Sequence, residues 1–451
     1  MKPLISHFRH VTPEVAYALG GRIWAVVSGL VMLALVVTFL SPVQQGYYYA
    51  FIGLLLLQQL ADAGFAIVLI QFSSHEWAWL KREKDGKING DAAALARLSS
   101  LVRVSLFYFF AVSTCFVALL GIGGDFYFSV SETPEVAWRL TWWLLTILTA
   151  VALLTSPMHA LLEGTGLVWK SQKNQLISDV IGGVSAWVAM IFGAELMALV
   201  VLVGVRAVLR HVLSLPAVLP LLRLAFEKHA HPPVSWRHEF WPQQKRIFTS
   251  WLCGFFMFQS FVPIVFQIQG AVVAGQLGVM LQAFQAVNQV ASAWLTAVQP
   301  KFGEFISQKD FSGLRRLVAK TIRQSTVTAV GLAVVGLGLV SVIKAYLPEY
   351  GFRFGPIFPF IAFVLVAIPL QKSNVETVAV RFGKVEPFVG LSASAAVLMI
   401  TGTVVAALWF PIAYIAYFFL AVISLYVVPA VHRIYLKYYY PGRESIPMKK
   451  Y

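Results

Sequence analysis

Charge is what this chain has least of. Asp, Glu, Lys and Arg make up 12% of its 451 residues, about half the share of a soluble domain. Hydrophobic residues reach 59% and the mean hydropathy is +0.75. A soluble fold cannot hide that much apolar surface, so lipid must solvate most of the chain. Cysteine is nearly absent: Cys115 and Cys253 both lie in apolar runs, which excludes a disulfide framework. There is no phosphate-cradling glycine-rich loop and no nucleophile motif, which excludes ATP-driven transport within this chain. Acids are scarce in the outer connections, with none in 41–46 and only Asp125, Glu132 and Glu135 in 122–136. An integral glycosyltransferase or polysaccharide polymerase needs acid/base or metal-binding carboxylates there, so catalysis is not expected. His229 and His231 have no Cys or acidic cluster beside them, and read as residues of a Pro-rich linker rather than a metal site. No metal or cofactor is expected.

What is present is a series of apolar runs, each near the ~20 residues that a helix needs to cross hydrocarbon. They fall at 15–40, 47–72, 99–121, 137–162, 174–193, 195–222, 247–268, 273–300, 320–344, 355–371, 386–409 and 411–431. The fold class is therefore an all-α integral membrane protein of about twelve transmembrane helices. The first run is too long for a cleavable signal and no small-residue cleavage site follows it. Of the 35 Lys and Arg, 29 fall on alternate connections and the two termini. Only Arg139, Lys344 and Arg353 fall on the other side. By the positive-inside bias both termini are cytoplasmic. The net charge of +15 is then explained by topology and anionic headgroups, and nucleic acid is not a partner. Trp142, Trp143 and Tyr438–Tyr440 read as interfacial belt residues.

The halves echo each other. Gly46-Tyr47-Tyr48-Tyr49-Ala50 opens the second run, and Gly275-Gln276-Leu277-Gly278-Val279 stands near the start of the eighth. Asp91, Leu95, Arg97 and Leu98 match Asp310, Leu314, Arg316 and Leu317 at one offset of 219. Six plus six spans return the chain to the same side. The expected architecture is two six-helix lobes around a central cavity, related by an axis along the membrane normal. The segments are 1–222 as an N-lobe, 223–246 as a cytoplasmic linker, 247–433 as a C-lobe and 434–451 as a basic tail.

The run from Gln45 to Asp62-Ala63-Gly64-Phe65 resembles the second span of the polysaccharide-transport branch of the multidrug/oligosaccharidyl-lipid/polysaccharide exporter superfamily. The stretch from Ala274-Gly275 through Pro300-Lys301-Phe302 to Asp310 and Leu314 is similar to that family's eighth span and following loop. Leu162-Glu163-Gly164 fits the end of its fourth span. The resemblance implies a flippase in the bacterial inner membrane that moves undecaprenyl-pyrophosphate-linked oligosaccharide outward, for O-antigen or exopolysaccharide synthesis. Its implied partners are that lipid-linked glycan, membrane lipids and a polysaccharide polymerase.

Independently of any family, ionisable residues inside spans are functional candidates. Arg206 stands roughly 16 Å into the sixth span, with Arg210 one turn further on the same face. Each central Arg costs about 2.5–3.5 kcal/mol in lipid, so a carboxylate, cavity water or an anionic ligand must compensate. A pyrophosphate suits the guanidinium's bidentate donors; the plainer alternative is a salt bridge for Arg206 and snorkelling for Arg210. Arg22 and Asp62 lie at comparable depth in the first two spans. They read either as an ion pair between neighbouring helices, or as an addition to the anion site with Asp62 as counter-ion or proton carrier. Asp179 and Glu163 read as interface-solvated, with a gating role as the alternative. Gln282, Gln285 and Gln289 share one helical face with Asn288 beside it, and either bond neighbouring helices or contact sugar hydroxyls. Counting deep charges, Arg22, Arg206 and Arg210 face Asp62 alone, which favours an anionic substrate over the organic cations of a cation-coupled multidrug antiporter.

Overall fold

The computed structural model describes residues 13–83, 87–131, 135–227, 232, 234–383 and 386–440. Away from water each backbone N–H and C=O must be satisfied within the segment, so the apolar runs become helices. Their order is α1 (Pro13–Phe39), α2 (Pro42–Leu55), α3 (Gln58–Asp62) and α4 (Phe65–Trp77), then a two-stranded hairpin, β1 (Leu80–Arg82) with β2 (Ile88–Gly90). Next come α5 (Ala92–Phe116), α6 (Ile122–Val130), α7 (Trp138–Leu153), α8 (Ser156–Gly164), α9 (Val168–Ile191) and α10 (Met197–Leu224). The remainder is α11 (Trp241–Gln259), α12 (Phe261–Gln269), α13 (Ala271–Ala291), α14 (Ala293–Ser307), α15 (Phe311–Tyr346), α16 (Pro348–Arg353), α17 (Ile357–Arg381), α18 (Val389–Trp409), α19 (Ile412–Ala421) and α20 (Val428–Tyr439).

Ten helical spans among the described residues are long and apolar enough to cross a membrane, or eleven when Leu252–Gln259 and Phe261–Gln269, bent by 42°, count as one. The protein is a multi-pass membrane protein, helical apart from that short hairpin among the described residues. The run expected at 273–300 is helical as α13 and α14, but Gln276, Gln282, Gln285, Asn288 and Gln289 dilute its apolarity. Several helices outrun the expected boundaries. The third continues to Val130 through a π-turn at Val117–Gly121, so most of the connection expected at 122–136 is helix. The fifth begins at Val168 rather than 174, and the last continues to Tyr439. Hydropathy finds the dry centre of a helix, whereas its polar ends are extended by capping and packing.

Two compact units result: residues 1–35 with 51–251, and residues 36–50 with 252–451. In the first, α9 packs along α10, α10 along α7, and α4 along α8. Phe65 anchors an aromatic cluster, stacking on Tyr108 at 4.4 Å and touching Phe109, Trp236 and Phe240. The segment after α10 is pinned to this unit. Arg97 bridges Glu76 at 2.7 Å and Glu239 at 2.8 Å, and this bond with the Ser235 N–H holds the Glu239 carboxyl below its ordinary range. Ser99 donates to the Leu224 carbonyl and Arg103 to that of Ala225, covering the open end of α10. Trp142 corrects the belt reading. It is fully buried, donates its indole N–H to Gly121 O at 3.1 Å and packs on Phe51 and Phe128. His229 and His231 lie outside the described residues.

In the second unit α17 is central, packed by α13, α15, α19 and α20. Phe261, Phe284 and Phe363 surround Phe419. Tyr439 is also no belt residue: it is buried, and its hydroxyl donates to Ala379 O at 2.8 Å. Arg315 covers the ring of Tyr440 at 4.8 Å. The echoed motifs have physical counterparts. Asp91 and Asp310 are both N-caps, each carboxylate accepting a backbone N–H three residues on, at 2.8 Å in both. That bond to Gly313 N, with the Ser312 hydroxyl, holds the Asp310 carboxyl below its ordinary range. The buried leucine differs between the two: it is Leu98 behind the first cap and Leu314, the match of Leu95, behind the second. Gly46 and Gly275 meet at a close crossing of α2 and α13.

At that crossing a Cβ on Gly46 would run into the Ala271 carbonyl, and one on Gly278 into the Tyr49 ring, whereas Gly336 faces open space. Gly46→Ala is expected to lower the unfolding midpoint in detergent by the equivalent of about 1–3 kcal/mol. Gly336→Ala should leave it unchanged or raise it by up to about 1 kcal/mol, the gain in helix propensity.

Candidate functional site

The polar centre of the first unit is built where α9 and α10 run antiparallel. Gly182 is the reason they approach so closely there: a Cβ on it would stand 2.6 Å from Arg206 Cγ. The space admits the arginine's stem and aims its guanidinium along α9 towards Asp179. Asp179 Oδ1 lies 3.3 Å from Arg206 Nε and 2.7 Å from Arg210 Nη2. One carboxylate oxygen thus serves two guanidiniums, and the trio keeps a charge of +1. The backbone carbonyl of Asp179 accepts from Trp24 Nε1 of α1 at 2.9 Å, which fixes this turn of α9. The side chains of Arg206, Arg210 and Asp179 are 32%, 28% and 27% exposed, so the cluster is reachable from outside the unit.

This corrects the reading of Asp179 as interface-solvated. With α9 spanning Val168–Ile191, Asp179 falls at its middle; a start at 174 places it near the surface instead. The tally of deep charge changes accordingly. Asp179 joins Asp62 against the three arginines, and the basic surplus drops from two charges to one.

Glu163 is also engaged. It accepts from Ser171 Oγ at 2.8 Å and Gln172 Nε2 at 3.2 Å. Ser171 Oγ stands 3.0 Å from His159 Nδ1. Because the serine proton goes to Glu163, the bond to His159 requires the imidazole proton on Nδ1. The result is a chain His159, Ser171, Glu163 that ties α8 to α9.

Arg22 and Asp62 are not paired. Arg22 is exposed on α1. Asp62 ends α3, where Ala63 and Gly64 take left-handed φ values of 50° and 71° and break the span. There it accepts from Ser156 Oγ at 3.1 Å and from the Ala66 N–H at the start of α4. The carbonyl freed at Ala61 accepts from Tyr108 OH at 3.2 Å. Asp62 is thus a cap for a broken helix, a task that needs a carboxylate and no arginine.

In the second unit the amide stripe divides. Gln282 accepts from Tyr49 OH and Asn288 from Gln371 Nε2 at 2.9 Å, so these two bond neighbouring helices. Gln285 and Gln289 are exposed. Sequence reasoning missed Asp179 as the arginines' partner, although the signal existed: Asp179 and Arg210 are equally far from the turn at Ala194-Glu195. It also missed the buried Glu376 and its half-exposed partner His432, 2.8 Å apart.

No family model matches the chain, and no curated relative matches it by sequence. Solved structures match over nearly its whole length. The lipid II flippase MurJ in an inward closed conformation aligns with a TM-score of 0.55 at 12% identity, over 92% of this chain and 89% of that one. The MATE multidrug transporter DinF-BH aligns at 0.54 and 12%, over 95% and 96%. An inward-facing multidrug resistance MATE family transporter of the MOP superfamily aligns at 0.54 and 13%, over 93% and 96%. The fold is that of the MATE and MurJ transporters of this superfamily.

Asp179→Asn removes the acid that both guanidiniums share. Loss of one partner of a fully buried pair costs about 3–5 kcal/mol; with a third of each side chain exposed, about 1–3 kcal/mol is expected. Thermal unfolding in detergent should show that loss, and Asp179→Asn combined with Arg206→Gln should recover part of it.

Proposed function

We propose that the chain is a flippase of the polysaccharide-transport branch of this superfamily, carrying a polyprenyl-pyrophosphate-linked oligosaccharide from the inner to the outer leaflet by alternating access. The observation that carries the reading is the +1 trio of Asp179, Arg206 and Arg210, a third exposed in mid-helix. A protein that needed only to neutralise a buried arginine would pair it one to one. Two guanidiniums held beside one carboxylate concentrate positive charge at this point, and an arriving anion balances it. A pyrophosphate offers oxygens for both guanidiniums, and neither cation can lose its proton to escape.

The glycan has counterparts in Gln285 and Gln289, the two amides of the stripe that are exposed rather than bonded to Tyr49 or Gln371. With the basic connections in the cytoplasm of a bacterial inner membrane, outward movement of an anion is favoured by the inside-negative potential, at ~2.3 kcal/mol per charge per 100 mV. The natural recipient of the delivered lipid is a polysaccharide polymerase working on the outer face.

Extrusion of organic cations is the competing reading, supported by the multidrug transporters among the structural neighbours. A cationic cluster repels such substrates, and this weighs against it.

The reading is tested in proteoliposomes with a fluorescent undecaprenyl-pyrophosphate oligosaccharide. Wild type should flip it. The triple variant Asp179→Asn, Arg206→Gln, Arg210→Gln removes the site while leaving no unpaired charge, and should flip at least about tenfold more slowly, the equivalent of 1.4 kcal/mol. A wild type that moves no such lipid yet extrudes a cationic dye would sink the proposal.

A further inference from the structure

At one end of the second unit, the carbonyls at and just past the end of α16 are taken by side chains from three other helices. Lys344 of α15 donates to Gly351 O at 2.9 Å and to Gly355 O. Gln276 of α13 donates to Phe352 O at 3.0 Å, and Gln45 of α2 donates to Arg353 O at 3.3 Å. Gly355, at φ 66°, turns the chain against Gln276 and Met280. A Cβ on Gly275 would stand 3.3 Å from Gln45 Cγ, so that glycine leaves room for the glutamine stem.

This packing leaves two polar atoms over. Gln45 is 1% exposed, and its Oε1 is buried with no hydrogen-bond partner. The Arg353 carbonyl requires an amide N–H from Gln45, which fixes the oxygen on the other side of the carboxamide. Arg353 Nη1 is also buried and unpartnered, and burial holds this guanidinium below its ordinary range. Among the described residues no carboxylate bridges it, and Glu349, one turn earlier on α16, is exposed. An arginine that only snorkels keeps its head in water or among headgroups. Here one nitrogen is sealed, on the residue that the sealed glutamine also touches.

Each atom asks for a different partner. Nη1 needs an acceptor, and an anionic one binds a cation's N–H best. Oε1 needs a donor. A phosphate ester with a hydroxyl close by offers both, whereas a carboxylate offers only the first. Arg353 as a whole is half-buried, and Tyr350, three residues before it and in electrostatic reach, is 37% exposed. A ligand can therefore enter from the surface of the unit.

We propose that Gln45 and Arg353 form an anion site of the second unit for a hydroxyl-bearing phosphate ester, the guanidinium holding a phosphate oxygen and Gln45 Oε1 accepting from the hydroxyl. With the basic connections cytoplasmic, this end of the unit faces outward. The ligand is then the delivered pyrophosphate glycan, whose first sugar supplies the hydroxyl, held until it is passed on. Only that identification rests on the flippase reading. Phosphatidylglycerol of the outer leaflet presents the same chemistry, and the site does not depend on which of the two fills it.

Binding to the full-length protein in detergent separates the two sources. The triple variant Asp179→Asn, Arg206→Gln, Arg210→Gln lacks the cluster of the first unit. It should still bind the fluorescent undecaprenyl-pyrophosphate oligosaccharide, and only a large excess of phosphatidylglycerol should displace it. Displacement at equal concentration would assign the site to the phospholipid instead. Adding Arg353→Gln should weaken binding roughly tenfold or more, and Arg353→Lys, which keeps the charge but loses the planar fork, should fall between. Phosphatidylmethanol, which lacks the hydroxyl, should compete roughly fivefold less well than phosphatidylglycerol. Arg353 meets Gln45 through its main-chain carbonyl, so Arg353→Gln should leave the unfolding midpoint unchanged or higher, where loss of a structural arginine would lower it. Binding of neither lipid by the triple variant, binding untouched by Arg353→Gln, or equal competition by phosphatidylmethanol would each overturn the proposal. A wild type that flips no glycan lipid, yet loses bound phosphatidylglycerol from its native mass spectrum on Arg353→Gln, would leave the site standing and remove the flippase.

Discussion

One carboxylate oxygen shared by two guanidiniums sets the terms for the first unit. In water Asp179 would be incidental, because either arginine is stable alone. In hydrocarbon each unpaired guanidinium costs several kcal/mol, so α9 and α10 must lie close enough for both to reach the same acid, and Gly182 is what permits it. Trp24 then holds the Asp179 turn from α1, and the His159–Ser171–Glu163 chain holds the start of α9 from α8. The packing of four helices thus follows from where a charge can be tolerated. Apolar contacts in lipid supply little preference of their own, because lipid tails offer a side chain much what another helix does.

The same demand explains the broken helices. Where the second span interrupts at Ala63 and Gly64, a backbone N–H and a carbonyl lose their helical partners. The Asp62 carboxylate takes the Ala66 N–H and the Tyr108 hydroxyl reaches the Ala61 carbonyl. The break is tolerated because it is sealed from lipid by polar groups of its own unit. Asp62 therefore sits deep in a span for a reason unrelated to Arg22.

The helices are legible in the sequence because the dry centre of each is apolar on every side. Their ends are not, since polar residues continue a helix wherever a cap or a neighbour supports them. That error spreads from boundary to chemistry: starting the fifth helix at 174 puts Asp179 near the surface, and the arginines are then assigned no acid. Pairing residues at equal distances from the Ala194-Glu195 turn joins Asp179 to Arg210 directly. Trp142 misleads for a different reason. A tryptophan near a span end suits the interface on composition alone, and only the packing of Phe51 and Phe128 shows that this one faces inward. The repeated Asp91 and Asp310 are visible as a pattern, and their shared task is N-capping. Glu376 and His432 are 56 residues apart on separate helices, and no periodicity along the chain brings them together.

The two units handle polarity differently, and the contrast bears on how a transporter divides its work. In the first, the arginines can never become neutral, so the trio holds a fixed charge and suits a site that a substrate fills. In the second, a buried carboxylate on α17 meets a half-exposed histidine on α20. The helices beside it are those already weakened by Pro369 and the Val422–Val427 π-turn. A fixed charge recognises an anion at any pH, whereas a carboxylate spent on an imidazole recognises nothing and ties two helices together. Polarity at the trio thus suits a ligand, and at this corner it holds α17 to α20 beside their points of bending.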